Sequence, residues 1–210
     1  MLNNIEVLCH NAIRFNKGKI IYVDPFHLKK EYKDADIILI THSHYDHFSK
    51  EDIEKVKKDD TKIYITKDLL EETKSIGFVE DNIVIVNPNE IYYEDDIEIN
   101  TIRAYNINKQ FHPKENNWVG YILKIQGFTY YIAGDTDITE ENRKVNCDVA
   151  FVPVGGTYTM TANEAAVLVN EIKPKIAVPV HYGEIVGSKE DGQRFVEKLE
   201  NGIEGKILIK

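Results

Sequence analysis

His42, His44, Asp46 and His47 crowd into the six residues HSHYDH, with only Ser43 and Tyr45 between them. Neutral imidazoles and carboxylates are the nitrogen and oxygen donors that bind zinc, manganese or iron. Alternate residues of an extended segment project to one side, so His42 and His44 share a face. Asp46 and His47 follow where the chain turns toward a helix announced by Ser49, and can face a second point close to the first. The spacing therefore allows one ion on His42 and His44 and another on Asp46 and His47. A shuffled chain of this composition contains H-x-H-x-D-H less than about one time in a thousand, so a solvated polar loop is a poor account of it. A pH-sensing histidine cluster fares no better, because it leaves the aspartate and the partners described next without a role.

Two ions need more than four ligands. Four strand-like runs end in candidates: IIYV in Asp24, IILIT in His42, YYIAG in Asp135 and KIAVPV in His181. Strand ends are where a rigid sheet presents side chains to a cleft. His112 stands in AYNINKQFHPKENNW. Taken alone, His112 beside a proline reads equally well as a surface histidine, and Asp135 in GDTD as a turn residue. Together, His42, His44, Asp46, His47, His112, Asp135 and His181 allow three ligands per ion, with one carboxylate bridging and a shared water or hydroxide completing the site.

The elements that must position these residues are mostly strands. Short β-branched runs recur at 20–25, 37–41, 62–66, 82–86, 97–102, 120–125, 129–134, 149–154, 175–180 and 206–210. Helices are expected after Ser49 (EDIEKVKK), after Thr66 (KDLLEETKSIG, stopped by Gly77), after Thr161 (ANEAAVLVNEIKP) and over QRFVEKLENG. Thr161 and Glu164 have the spacing of a capping box. GYILKIQGFTYYIAG reads as a hairpin turning at Gln126-Gly127, whereas both ends of the chain read as strand-helix-strand units. That mixture fits two packed sheets flanked by helices, an α/β (α+β mixed) class. A doubly wound nucleotide fold needs a glycine-rich turn after its first strand, where this chain has Pro25-Phe26-His27.

With 210 residues and 42% hydrophobic content, the chain is expected to form a single domain over 1–210. Its net charge of -9 opposes an extended nucleic-acid or anionic-membrane surface, while a metal-lined pocket can still take an anionic small molecule. There is no basic-then-apolar leader and no apolar run approaching ~20 residues, which points to a soluble, cytoplasmic protein without a membrane span. Cys9 and Cys147 are expected to be reduced. Oligomeric state is not legible in one chain.

THSHYDH at 41–47, with His112, Asp135 and His181 downstream, resembles the signature of the metallo-β-lactamase superfamily, over nearly the whole chain from IYVDP to VPVHYG. The resemblance implies a four-layered αββα sandwich with a dinuclear site at one edge of the sheets. AYNINKQFHPKENNWVGY, YIAGDTD, FVPVGGTYTMTANEAA and IKPKIAVPVHYG are similar to the L-ascorbate-6-phosphate lactonase-like branch of metal-dependent hydrolases, related to N-acylphosphatidylethanolamine phospholipase D. Carried over by position, His42, His44 and His112 would hold one ion, Asp46, His47 and His181 the other, and Asp135 would bridge them. Asp24 matches a position that orients the first ligand loop. The Gly-His-Ala-Ser-like turn of the branch is only partly kept in VLCHNAIRF, where Cys9 replaces the glycine and Asn11 follows His10; His10 is thus a candidate for a substrate-contacting or supporting role, with a purely structural role as the reading it competes with. His27 matches nothing in the branch and reads as a surface residue.

The expected chemistry is hydrolysis by a metal-activated hydroxide, with two divalent ions, Zn2+ first and Mn2+ or Fe2+ next, stabilising the developing oxyanion. Asp46 is the catalytic candidate, placed to relay a proton as well as bind metal. Lys114, Trp118, Thr157 and Tyr158 are candidates for contact with an anionic or ring-shaped substrate, with Trp118 reading equally as core. The leading reading is a hydrolase of a small phosphorylated or cyclic ester, a lactone, or a phosphodiester. The alternatives are a phosphodiesterase or nuclease acting on lipid or nucleic acid, a non-catalytic metal-binding interaction protein, and a redox di-iron role.

Overall fold

The computed structural model describes residues 1–209, and the chain divides into two units, Leu2–Asn87 and Pro88–Lys210 with Met1. The first unit carries β1 (Ile5–Cys9), β2 (Ala12–Lys17), β3 (Lys19–Val23), β4 (Ala35–Leu39), α1 (Lys50–Val56), β5 (Lys57–Ile65), α2 (Leu70–Ser75) and β6 (Ile83–Ile85). Its sheet runs in order β1-β2-β3-β4-β5-β6, antiparallel from β1 to β3 and parallel from β3 onward. Ile38, Ile40, Ile53, Val56, Ile63 and Ile65 share one apolar cluster, which seats α1 on the sheet. Burying each such side chain contributes about 1.5–3 kcal/mol.

The second unit carries β7 (Ile91–Glu94), β8 (Ile97–Arg103), β9 (Val119–Ile125), β10 (Phe128–Ile132), β11 (Val149–Pro153), α3 (Ala162–Ile172), β12 (Ile176–Val180), α4 (Asp191–Val196) and β13 (Glu204–Gly205). The order is β13-β12-β11-β10-β9-β8-β7, antiparallel from β7 to β10 and parallel from β10 to β13. The parallel strands β11 and β12 are buried along their whole length, which is why VAFVP and IAVPV read as unbroken apolar runs. β8 instead alternates, with Ile97, Ile99 and Thr101 inward and Glu98 and Asn100 half-exposed. Gln126 (φ 51°) and Gly127 (φ 78°) both adopt the left-handed backbone that a two-residue hairpin demands between Ile125 and Phe128. The Thr161–Glu164 capping box opens α3 in both directions.

The mixed α/β class with two mixed sheets agrees with the sequence reading. Several boundaries moved. The helix after Ser49 stops at Val56, so the lysines 57 and 58 belong to β5. The final strand is Glu204–Gly205 rather than 206–210, and Lys210 lies outside the described residues. β1, β2 and β7 join the runs named above. Among the described residues no helix is long and apolar enough to cross a membrane.

Both units follow one plan, an antiparallel meander whose last strand starts a parallel series. In each, a histidine stands in the connection before the last two meander strands, His10 between β1 and β2 and His112 between β8 and β9. An aspartate follows the strand where the pairing changes, Asp24 after β3 and Asp135 after β10. Because β3 and β4 are parallel, as are β10 to β12, the candidate ligands after them leave each sheet at one edge.

Candidate metal centre

In the first unit the donors converge on a short loop. His42, Asp46 and His47 are buried and His44 half-buried. His42 Nε2 and His44 Nδ1 lie 3.0 Å apart. Asp46 Oδ2 lies 3.6 Å from His47 Nε2 and 3.2 Å from His10 Nε2. The backbone of the loop closes on itself, with the N–H groups of His47 and Phe48 donating to His44 O. The intervening Ser43 and Tyr45 line a different cleft of about 560 Å³ with Phe26, His27, Lys50 and Lys55, among others. The segment is a bend at Ser43–His44 followed by a turn at Tyr45–His47 rather than the extended stretch expected, yet Ser43 and Tyr45 still part from the histidines.

Asp24 organises this set. Its carboxylate is fully buried at the end of β3 and accepts from Thr41 N (2.8 Å), Thr41 Oγ1 (2.7 Å), Asn11 Nδ2 (2.7 Å) and His47 Nδ1 (2.7 Å). The last contact fixes the His47 tautomer and turns Nε2 toward Asp46, as a carboxylate behind a ligand histidine does. Thr41 gives its hydroxyl proton to Asp24, so its oxygen accepts from His42 Nδ1 at 3.0 Å and leaves His42 Nε2 as the lone-pair nitrogen. Asp24 itself sits at φ 44° and His10 at φ 50°, left-handed backbone that few residues other than glycine adopt.

The second unit supplies a matching set. Asp135 Oδ2 lies 3.2 Å from His112 Nε2 and 3.1 Å from His181 Nε2, and all three side chains are buried. His112 is oriented from behind: its Nδ1 donates to Asn106 Oδ1 at 3.0 Å, and its backbone N–H donates to the same oxygen. Trp118, also buried, meets the His112 ring edge-on at 5.6 Å and is a packing residue. His181 follows β12 at φ 57°. Gly155 lies under it: a Cβ there would run into the His181 carbonyl oxygen and the Val186 side chain.

The candidate substrate contacts are more scattered. Lys114 donates to Tyr105 Oη at 3.2 Å, lies 4.5 Å from that ring's centre and pairs with Glu141 at 3.4 Å. The Tyr105 hydroxyl, with Glu141, holds the Lys114 ammonium above its ordinary pKa, so it stays charged. Tyr158 stacks edge-on with Phe111 at 4.6 Å, and its carbonyl accepts from Asn106 Nδ2. Thr157 is exposed and His27 lies on the surface, stacked on Phe26. Cys9 is half-buried and Cys147 buried, and burial pushes the Cys147 thiol up to about 12. The sequence reading gave no role to Asn106, Asn11 or Thr41. Their signal was position alone: each stands within a motif already singled out, next to or near a candidate histidine.

The donor sets fit divalent metal. At Zn–N and Zn–O distances of about 2.0–2.1 Å, neighbouring ligands of a tetrahedral ion stand about 3.3 Å apart. The donor pairs measure 3.0, 3.1, 3.2 and 3.6 Å. Ring nitrogens and carboxylate oxygens at this spacing, with His42, His47 and His112 each steadied from Nδ1, are the donor chemistry of a metal-binding protein of mixed α/β class.

Known proteins carry the identification further. A family model described as the β-lactamase superfamily domain matches residues 4–181. A UPF0173 metal-dependent hydrolase of Thermococcus kodakarensis is 31% identical, covering 97% of this chain and 95% of its own. A crystal structure of a candidate metal-dependent hydrolase from Parabacteroides distasonis superposes with TM-score 0.84 at 30% identity, over 98% of this chain and 93% of that one. Igni18, a metallo hydrolase of Ignicoccus hospitalis, has the same fold at 22% identity, with TM-score 0.80 over 98% of this chain and 94% of its own. The chain belongs to the metallo-β-lactamase superfamily.

Proposed function

We propose that this metal-dependent hydrolase works with two divalent ions, Zn2+ foremost, and cleaves a small phosphorylated or cyclic ester such as a lactone, or a small phosphodiester. On this reading His42, His44 and His112 would hold one ion, Asp46, His47 and His181 the other, and Asp135 would be shared by both. The observation that carries this reading is a single carboxylate oxygen, Asp135 Oδ2, within 3.2 Å of two different imidazole nitrogens. When bound, the ions supply Lewis acidity, which polarises the scissile bond and acidifies water.

The rest of the chemistry falls to side chains. Asp46 is the proton carrier, a carboxylate that takes the proton water gives up on attack and returns it to the leaving oxygen. Asp24 and Asn106 keep His47 and His112 in one tautomer and one orientation. Lys114, held charged, suits an anionic group on the substrate. The net charge of -9 favours a small molecule over an anionic polymer, and residues 1–210 act as one hydrolase domain.

The test is metal analysis followed by a panel of lactones, small phosphodiesters, lipid phosphodiesters and single-stranded nucleic acid. The expected result is two ions per chain and turnover on the small esters, with His42→Ala and Asp135→Asn losing turnover and at least one ion. Full metal content and undiminished turnover in both variants would overturn the dinuclear reading, and turnover confined to lipid or nucleic acid would overturn the substrate class.

A further inference from the structure

We propose that His10 is itself a metal ligand, an eighth donor that completes a three-ligand set with Asp46 and His47 inside the first unit. The proposal rests on the dinuclear reading above and extends it, since the superfamily resemblance gives this ion Asp46, His47, His181 and the shared Asp135, and does not include His10.

The geometry begins with one oxygen. Asp46 Oδ2 is the atom that faces His47 Nε2 at 3.6 Å, and His10 Nε2 approaches the same atom at 3.2 Å. The donor atoms of His10, Asp46 and His47 all lie within 4.8 Å of one another. Those distances bracket the edge of about 3.3 Å expected between neighbouring ligands of a tetrahedral ion. The pairs assigned as ligands above, His42–His44 at 3.0 Å and His112–Asp135 at 3.2 Å, are spaced no differently.

The backbone around His10 is built to hold it. The residue is 1% exposed and sits at φ 50° in the two-residue connection between β1 and β2. A left-handed conformation at a residue other than glycine is strained and persists where surrounding contacts enforce it. Here the enforcing contact comes from the next residue, because Asn11 Nδ2 donates to Asp24 Oδ2, the oxygen that also accepts from His47 Nδ1. One buried carboxylate therefore sets both the turn that presents His10 and the tautomer of His47. His10 also occupies in the first unit the topological position that His112 occupies in the second.

Co2+ titration of the metal-free full-length protein, read by visible absorption, tests the assignment without recourse to turnover. His10→Asn keeps a side chain that tolerates φ 50° and an amide able to hydrogen-bond Asp46, but removes the imidazole. Wild type should bind two Co2+ ions. His10→Asn should bind one of them unchanged and the other at least about 10-fold more weakly, with an altered absorption band for that ion. His10→Gly, whose backbone also suits the turn, should recover the tighter binding when imidazole is added, and it reads the assignment if His10→Asn does not fold. Two ions bound by His10→Asn with wild-type affinity and spectrum would overturn the role of His10 and leave the dinuclear reading intact. A single ion in wild type would overturn the dinuclear reading, and His10 would then stand or fall on whether His10→Asn weakens that ion.

Discussion

Replacing Asp24 by asparagine removes a charge and almost nothing else. Asparagine is nearly isosteric and tolerates the φ of 44° found there, so backbone strain is not added. Four donors converge on this carboxylate, three of them on Oδ2 and one, Thr41 N, on Oδ1. The best orientation of the amide keeps its oxygen at the Oδ2 position and sets its NH2 against the Thr41 N–H. One buried donor then goes unsatisfied, at about 1–3 kcal/mol, and three charge-assisted bonds fall from about 1.5–3 to about 0.5–1.5 kcal/mol each. Allowing for relaxation, the loss is about 3–5 kcal/mol, in line with breaking a buried charged network. For a chain of this length that is a fall in Tm of about 10 °C. Weaker support of His47 should also cost about 10–100-fold in affinity for one ion. Thermal unfolding of the metal-free protein and competition with a chromophoric chelator measure the two effects separately. An Asp24→Asn protein with wild-type melting and wild-type chelator competition would refute the view that this carboxylate organises the first donor set.

Gly155→Ala should displace the β12 end that carries His181, lowering both stability and metal content, because the atom the added methyl meets first is the His181 backbone carbonyl oxygen, with the Val186 side chain close behind; metal analysis of the purified variant checks it. Asp52 gives a pH signature. Burial pushes its carboxyl up, but the Ser49 hydroxyl, the Lys55 ammonium and the Leu28 N–H outweigh that and hold it below its ordinary value of 3.8. A folded-state pKa below the unfolded one contributes stability above the unfolded pKa and loses it as pH falls through the folded one. Urea unfolding of Asp52→Asn should therefore show a deficit at pH 7 that shrinks below about pH 4; a deficit independent of pH would contradict the assignment.

Candidate ligands at strand ends were the most legible part of the chain. A parallel strand buried on both faces writes an unbroken apolar run, and the first polar residue after it, as in IAVPV-His181, marks the sheet edge directly. β1, β2 and β7 were harder, since IEVLC, AIRFNK and IYYE mix charges into short segments that only their neighbours define as strands. The seven ligand candidates could be gathered by residue type and motif. Asn11, Thr41 and Asn106 could not, because an amide or hydroxyl gains its role from the one ring or carboxylate it meets, and no periodicity records that meeting. The final strand was misplaced because KILIK has β propensity but β12 offers pairing only at Ile176 and Ala177, to Glu204 and Gly205.

His10, Asp24 and His181 all place a candidate donor or its support on left-handed backbone at the end of a strand. A single such residue turns the chain sharply, so the side chain's position is set by the strand before it and owes little to the length of the loop after it. Loops downstream of these three positions can then lengthen, shorten or change composition while the donors stay where the sheets put them. That separation gives a hydrolase of this design room to acquire a new substrate by altering loops, without rebuilding the chemistry underneath.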